Sequence, residues 1–236
     1  MSALTKHLKV SVEYIGLERQ PVMIIDDFVQ DPRALVFEAR ARQYGVMGPY
    51  YPGIRAPVSP GLIDTFVPSI INMAAEIFAL KGRIRLIEAL YSLVTTPPSE
   101  LKPIQRLPHF DGLEPERIAI LHYLCPPECG GTAFYRHKST GIESLSTERM
   151  AEYSRKLDED VSREGLPGAA YISGSTSIFE QTARFTARYN RALIYRGSIL
   201  HCADPAVDAR LAVTPDVGRL TVNTFLMGDP KSNVRT

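Results

Sequence analysis

The feature that most constrains this chain is a series of short, strand-like runs that begins after Gly82. RLIEALYSLVTT, KPIQRLPHF, RIAILHYL, GTAFYRH, ARFTARYN, RALIYRG and GRLTVNTFLMG follow one another, separated by Pro, Gly and Asp. Runs of this length and composition predict strands, and such a series predicts a β-sandwich or jelly roll. One polar stretch interrupts it: LSTERMAEYSRKLDEDVSREG, about residues 145–165, favours a helix with Ser146 as its N-cap and Gly165 as its stop. It reads as a helical insertion between strands.

Ahead of the series, PVMIIDDF (residues 21–28) reads as a strand ending in paired Asp, and DPRALVFEARARQY as the helix that follows. From Gly45 to Gly61 the segment GVMGPYYPGIRAPVSPG holds four Pro and four Gly, which predicts a surface loop carrying Tyr50, Tyr51 and Arg55. LIDTFVPSIINMAAEIFALKG predicts one amphipathic helix, started or kinked at Pro68 and ended at Gly82. Neither repeats nor a linker divide the chain, so the expectation is one domain over 1–236. It is α+β and mainly β, with the N-terminal strand, helices and loop over about 20–82 and a barrel core over about 83–228.

Charge and cysteine content narrow the function classes. Lys and Arg total 27 against 26 Asp and Glu, a formal net charge of +1, so no basic field draws the chain to nucleic acid or to a membrane surface. No run of about 18 apolar residues offers a membrane span. The opening MSALTKHLKVSVEY lacks a secretory pattern, and three cysteines do not make a disulfide framework, so the expected location is the cytoplasm. Oligomeric state leaves no mark in this sequence.

Five histidines are present: His7, His109, His122, His137 and His201. His109 lies in LPHFDG, and on a strand His109 and Asp111 leave the same face and can converge on one ion. His201 lies in RGSILHCAD, near the end of a strand that begins about Arg191. Two His and one carboxylate form the facial triad that leaves three positions open on Fe(II). Beyond His201, in GRLTVNTFL, Arg219, Thr221 and Asn223 alternate onto one face. A buried Arg requires an anion, and the Arg219 guanidinium offers a two-point fork for a carboxylate with the Thr221 hydroxyl beside it.

In its order and spacing, His109-Phe110-Asp111, then His201, then Arg219-Leu220-Thr221, the sequence resembles the Fe(II)/2-oxoglutarate-dependent dioxygenases, whose core is a double-stranded β-helix, a jelly roll. PVMIIDDFVQDPRALVFEAR and ILHYLCPPECGGTAFYRHKSTG resemble segments of the prolyl-hydroxylase-like branch. YYPGIRAPVSP with GGTAFYRHKSTG resembles an uncharacterised bacterial family of that superfamily. The resemblance covers about residues 20–228. It implies that His109, Asp111 and His201 hold iron, that Arg219 and Thr221 hold 2-oxoglutarate, and that Tyr123 donates its hydroxyl to that cosubstrate. It further implies that O2 is consumed and that an unactivated C–H bond of an amino acid, small metabolite or peptide is hydroxylated, with release of succinate and CO2. Related halogenases lack the carboxylate, so Asp111 favours oxygenation.

Four residues are candidates for substrate contact. Gln105 shares strand parity with Leu107, His109 and Asp111; Asn223 shares the face of Arg219; Arg55 sits in the Tyr/Pro loop as part of a lid; Arg136 sits in the cationic run Tyr135-Arg136-His137-Lys138. Two other chemistries compete. Cys125, Cys129, Cys202 and His201 are potential zinc ligands, but the C-x3-C spacing has no second close pair. A Cys–His nucleophile fails because the adjacent His201 and Cys202 point to opposite faces of a strand. A cupin-like binding protein that keeps the metal and has lost turnover is the alternative from a different class.

Overall fold

Ten strands and four helices account for the regular structure of the computed structural model, which describes residues 8–229; His7 lies outside the described residues. The strands are β1 (Lys9–Ile15), β2 (Gln20–Asp26), β3 (Gly53–Pro57), β4 (Arg83–Val94), β5 (Arg117–Tyr123), β6 (Gly131–His137), β7 (Phe179–Thr186), β8 (Arg191–Arg196), β9 (His201–Asp204) and β10 (Arg219–Asp229). They form two antiparallel sheets, a major one of seven strands ordered β1-β2-β8-β5-β10-β4-β3 and a minor one ordered β7-β6-β9. This is the mainly β, two-sheet jelly roll that the sequence predicts.

The central strands of the major sheet, β2, β8, β5 and β10, are buried on both faces, and that explains their near-continuous apolar runs. Along β10, Leu220, Val222 and Leu226 turn outward into a core completed by Ile63, Phe66, Ile70 and Phe78. The alternate residues turn inward toward the minor sheet, where Phe134 and Phe185 meet Leu121, Leu193, Tyr195 and Phe225. A third cluster, with Tyr135, Phe179 and Leu200, packs under Tyr153 on the far side of the minor sheet. The site therefore lies between two sheets that are each held from behind.

The helices carry their own start and stop signals. In α1 (Pro32–Ala41), Pro32 occupies the first turn and Asp31 Oδ1 accepts from the Arg33 and Ala34 amides, both at 3.1 Å. In α4 (Thr147–Glu164), Ser146 Oγ accepts from the Arg149 amide at 3.4 Å, and Gly165, at φ +79°, ends the helix with its amide on the Val161 carbonyl.

Several expectations need correction. The helix predicted over the LIDTFVP segment is two pieces, α2 (Pro60–Ile63) and α3 (Val67–Ile77), because Pro68 fits only a first turn. Gly82 does not end α3; Ala79, at φ +48°, makes the left-handed residue instead. The Pro/Gly segment is not all loop: β3 pairs with β4 at the sheet edge, where prolines at a strand's ends are tolerated. No strand runs through KPIQRLPHF; Pro103–Arg106 is a 3-10 turn. The strand that begins at Arg191 ends at Arg196, and His201 opens a new strand in the other sheet.

Candidate metal centre

Although no strand runs through residues 102–108, the chain becomes extended at His109. There it pairs with His201, each amide donating to the other's carbonyl at 2.8 Å, and the Asp111 amide donates to the Gly197 carbonyl at 2.6 Å. The parity argument survives over these three residues, and His109 and Asp111 present their side chains together. His109 Nε2 lies 3.8 Å from Asp111 Oδ1, and His201 Nε2 lies 3.4 Å from Asp111 Oδ2. One ligand atom from each of the three lies within 4.8 Å of the others, and among the described residues this is the one such group of three or more. The alternative set of Cys125, Cys129, Cys202 and His201 forms no such group among the described residues; the three cysteines are free and buried.

The centre fits a divalent cation on three grounds. His201 Nδ1 meets the Ile199 carbonyl at 2.8 Å, which fixes the proton there and leaves the Nε2 lone pair facing the group. Desolvation within the cavity, with the charges of His201 and Arg55 adding to it, lowers the His109 imidazole from its ordinary protonation range, the direction that favours the neutral ligand. Burial also pushes the Asp111 carboxyl up. A carboxylate in that setting is costly without a positive partner, and a bound cation supplies one. Exposure is graded: 5% for the His201 side chain, 16% for Asp111 and 43% for His109, which opens onto the cavity.

Arg219 lies in the same cavity and is 2% exposed. Its Nη2 donates to the Gly131 carbonyl at 2.7 Å and its guanidinium stands 5.5 Å from the Tyr123 ring centroid. Its Nε is buried without a partner. A buried guanidinium with an orphan N–H and a cavity before it is shaped for an anion. Thr221 and Asn223 line the same cavity, with 2.9 Å between Thr221 Oγ1 and Asn223 Oδ1.

Three expected contacts take other roles. The Tyr123 hydroxyl shares a 2.6 Å hydrogen bond with Thr132 Oγ1, so the ring supports Arg219 from behind and the hydroxyl does not open to the cavity. Gln105 lines the cavity, but as a tether: Nε2 donates to the Pro49 and Tyr51 carbonyls at 3.2 Å each, and Oε1 accepts from the Lys102 amide at 2.9 Å. Arg136 lies away from the cavity, with ion pairs to Glu143 at 3.0 Å and Glu180 at 2.5 Å that satisfy its charge. Arg55 does line the cavity, from β3. Sequence reasoning passed over Tyr195, whose ring edge meets His201 at 4.8 Å between centroids, and Thr132; strand alternation in RALIYRG could have found Tyr195.

Residues 6–226 match the model of a family of unknown function, DUF6445. The chain belongs to this family. Among curated protein sequences none matches it. Among solved structures it is similar to the non-heme alpha-ketoglutarate-dependent epimerase SnoN from nogalamycin biosynthesis, at 14% identity and a TM-score of 0.51, over 89% of this chain and 77% of that one. It is also similar to HygX from Streptomyces hygroscopicus, solved with nickel and 2-oxoglutarate bound, at 13% identity and TM-score 0.48 over 89% and 84% of the two chains. A third is the viral collagen prolyl hydroxylase vCPH from Paramecium Bursaria Chlorella virus-1, at 10% identity and TM-score 0.48 over 88% and 96%. This DUF6445 chain has the jelly-roll fold of the Fe(II)/2-oxoglutarate-dependent oxygenases. No helix among its described residues is long and apolar enough to cross a membrane.

Proposed function

We propose that this DUF6445 protein is a non-haem Fe(II)- and 2-oxoglutarate-dependent oxygenase that hydroxylates a C–H bond of an amino acid, small metabolite or peptide, with release of succinate and CO2. The observation that carries the reading is one cavity in which His109, Asp111 and His201 converge and a buried Arg219 keeps an unpartnered N–H. In this reading His109 Nε2, Asp111 and His201 Nε2 hold the iron, and Fe(II) with 2-oxoglutarate and O2 supplies the oxidising chemistry.

The protein's own residues bind, orient and exclude water. Arg219 takes the far carboxylate of 2-oxoglutarate with the Thr221 hydroxyl beside it, and its position is set by the Gly131 carbonyl and the Tyr123 ring. Phe134 and Tyr195 wall His201 at 6.1 and 4.8 Å between ring centroids, keeping that ligand's side of the cavity dry. The cytoplasm remains the expected location.

The test is an anaerobic titration of metal-free protein with Fe(II) and then 2-oxoglutarate, followed by the visible charge-transfer band of the chelate. Band formation in the wild type and its loss in Arg219→Leu, with Fe(II) affinity kept, is the expected result. A folded, iron-loaded protein that forms no band would move the protein to the class of metal-binding cupin-like proteins without turnover.

A further inference from the structure

The cavity holds a second arginine that the proposed iron and 2-oxoglutarate sites do not use. Arg55 is fixed by its backbone on both sides. On one side it pairs with Ser92 of β4; on the other its amide donates to the Gly45 carbonyl at 2.8 Å, and the Gly45 amide donates back at 3.0 Å. The register continues from Ser92 to Thr221, so Arg55 and Thr221 leave the same face of the major sheet. The guanidinium lies over the Tyr51 ring, 3.9 Å from its centroid, which sets its plane. Tyr51 is itself held, because its carbonyl takes the Gln105 amide.

Despite this placement, the Arg55 side chain has no carboxylate within ion-pair distance and no hydrogen-bond acceptor among the described residues, and its Nε is buried without a partner. Most other arginines near acidic groups in this protein are paired, as Arg136, Arg191 and Arg117 illustrate. A rigid, planar cation left open toward a cavity is a recognition element for a planar anion.

Charge balance points the same way. The charged side chains that line the cavity are Arg55, Arg219 and Asp111. With a divalent cation on the triad and a 2-oxoglutarate dianion on Arg219, one positive charge stays uncompensated, and it resides on Arg55. The remaining occupant should therefore carry a single negative charge on the side of the cavity where β3 lies.

We propose that Arg55, oriented by Tyr51, is the substrate anchor of this protein and that the substrate is a carboxylic acid whose carboxylate is gripped by the Arg55 fork, in a free acid or at the end of a short peptide. This rests on the oxygenase reading and narrows it. Neutral metabolites and internal peptide segments are disfavoured as substrates, because they would leave the Arg55 charge without a partner in the cavity.

The experiment uses Ni(II) in place of iron, so that binding is read without turnover. Calorimetric titrations of Ni(II) and then 2-oxoglutarate are run on wild type, Arg55→Gln, Arg55→Lys and Arg219→Leu. The Ni(II)- and 2-oxoglutarate-loaded proteins are then screened by thermal shift against L-amino acids, aliphatic and aromatic monocarboxylic acids and dipeptides, each beside its primary amide. The expected outcome is that Arg55→Gln keeps Ni(II) and 2-oxoglutarate affinity within about twofold. At least one acid should stabilise the wild type while its amide does not, and Arg55→Gln should lose about 50-fold or more of that acid's affinity, with Arg55→Lys between them. Free acids and dipeptides that score separately distinguish the two carboxylate sources. Loss of 2-oxoglutarate in Arg55→Gln to the extent seen in Arg219→Leu would assign Arg55 to the cosubstrate and overturn the proposal. Amides that match their acids, hits indifferent to Arg55→Gln, or no acid preferred over its amide would overturn it as well. A wild type that binds Ni(II) but not 2-oxoglutarate would instead sink the oxygenase reading, an outcome visible before any acid is added.

Discussion

The three-stranded sheet separates two clusters of the same chemical groups. On its inner side stand His109, Asp111 and His201; on its outer side His137 stands 3.1 Å from Asp160. The outer carboxylate is engaged. Asp160 accepts from the Ser139 hydroxyl and from Arg163 Nη2 at 2.5 Å, His137 Nδ1 meets Thr140 Oγ1 at 3.0 Å, and Tyr153 and Phe179 close over the imidazole. The inner group turns its ligand atoms toward one another, and among the described residues no lysine or arginine is in ion-pair contact with Asp111. An imidazole and a carboxylate side by side therefore say little; whether neighbours have used up their bonding capacity separates a structural joint from a binding centre.

Substitutions on the two sides should separate binding from stability. Asp111→Ala has the largest expected effect: Fe(II) affinity falls by roughly two orders of magnitude or more, and 2-oxoglutarate turnover to succinate is lost with it. The metal-free melting temperature should be unchanged or higher, since the desolvation of the carboxylate, which outweighs the charges around it, is relieved. Anaerobic iron titration beside calorimetry checks both halves, and a variant that still binds iron at wild-type strength would break the comparison.

Asp160→Ala should do the reverse. It leaves the Ser139 hydroxyl without its acceptor, removes the carboxylate beside His137 and takes away one of the two that Arg163 uses, and should cost about 1–2 kcal/mol in urea unfolding while iron affinity stays the same.

The smallest effect concerns pH and a third buried imidazole. His122 lies against Phe28 at 5.0 Å between ring centroids and meets Asn190 Oδ1 at 3.0 Å. Burial pushes it down to about 4, against an ordinary 6.5. Its folded value is below its unfolded one, so the unfolded chain takes up a proton that the folded chain refuses, and stability falls as the pH drops below 6.5 toward 4. Between pH 7 and 5.5 the loss should be about 1 kcal/mol from this residue, and His122→Gln should flatten that part of the stability curve. An unchanged slope would mean that other groups, His137 among them, set the acid limit.

Much of the fold was legible because burial on both faces of the major sheet writes itself as apolar runs, as in RALIYR and RLTVNTFL. The triad was legible because ligands two residues apart share a face on any extended stretch, even the three-residue one around His109. What escaped reading depended on partners distant in sequence. Arg136 looked free until Glu143 and Glu180 came beside it, and Gln105 looked like part of a strand until its amide found the Pro49 and Tyr51 carbonyls. Arg55 was legible as a candidate, but the strand that carries it was hidden by the prolines at 52 and 57, which disguise a five-residue edge strand as loop. Glu143 itself, which collects the Leu17 and Glu18 amides at 2.9 Å each, gives no local sign of that role.

The place of β10 has a consequence for synthesis. It is the last of the described strands, yet it lies near the middle of the major sheet, paired to β4 along its whole length and to β5 from Thr221 to Met227. Until it leaves the ribosome, β3 with β4 and β1-β2-β8-β5 are two separate ribbons with open edges facing one another. Arg219 enters on that same strand, so the nascent chain completes its anion pocket and its architecture in one event. A ribosome-bound chain stopped before Arg219 would expose two sticky edges and would be a client for chaperones.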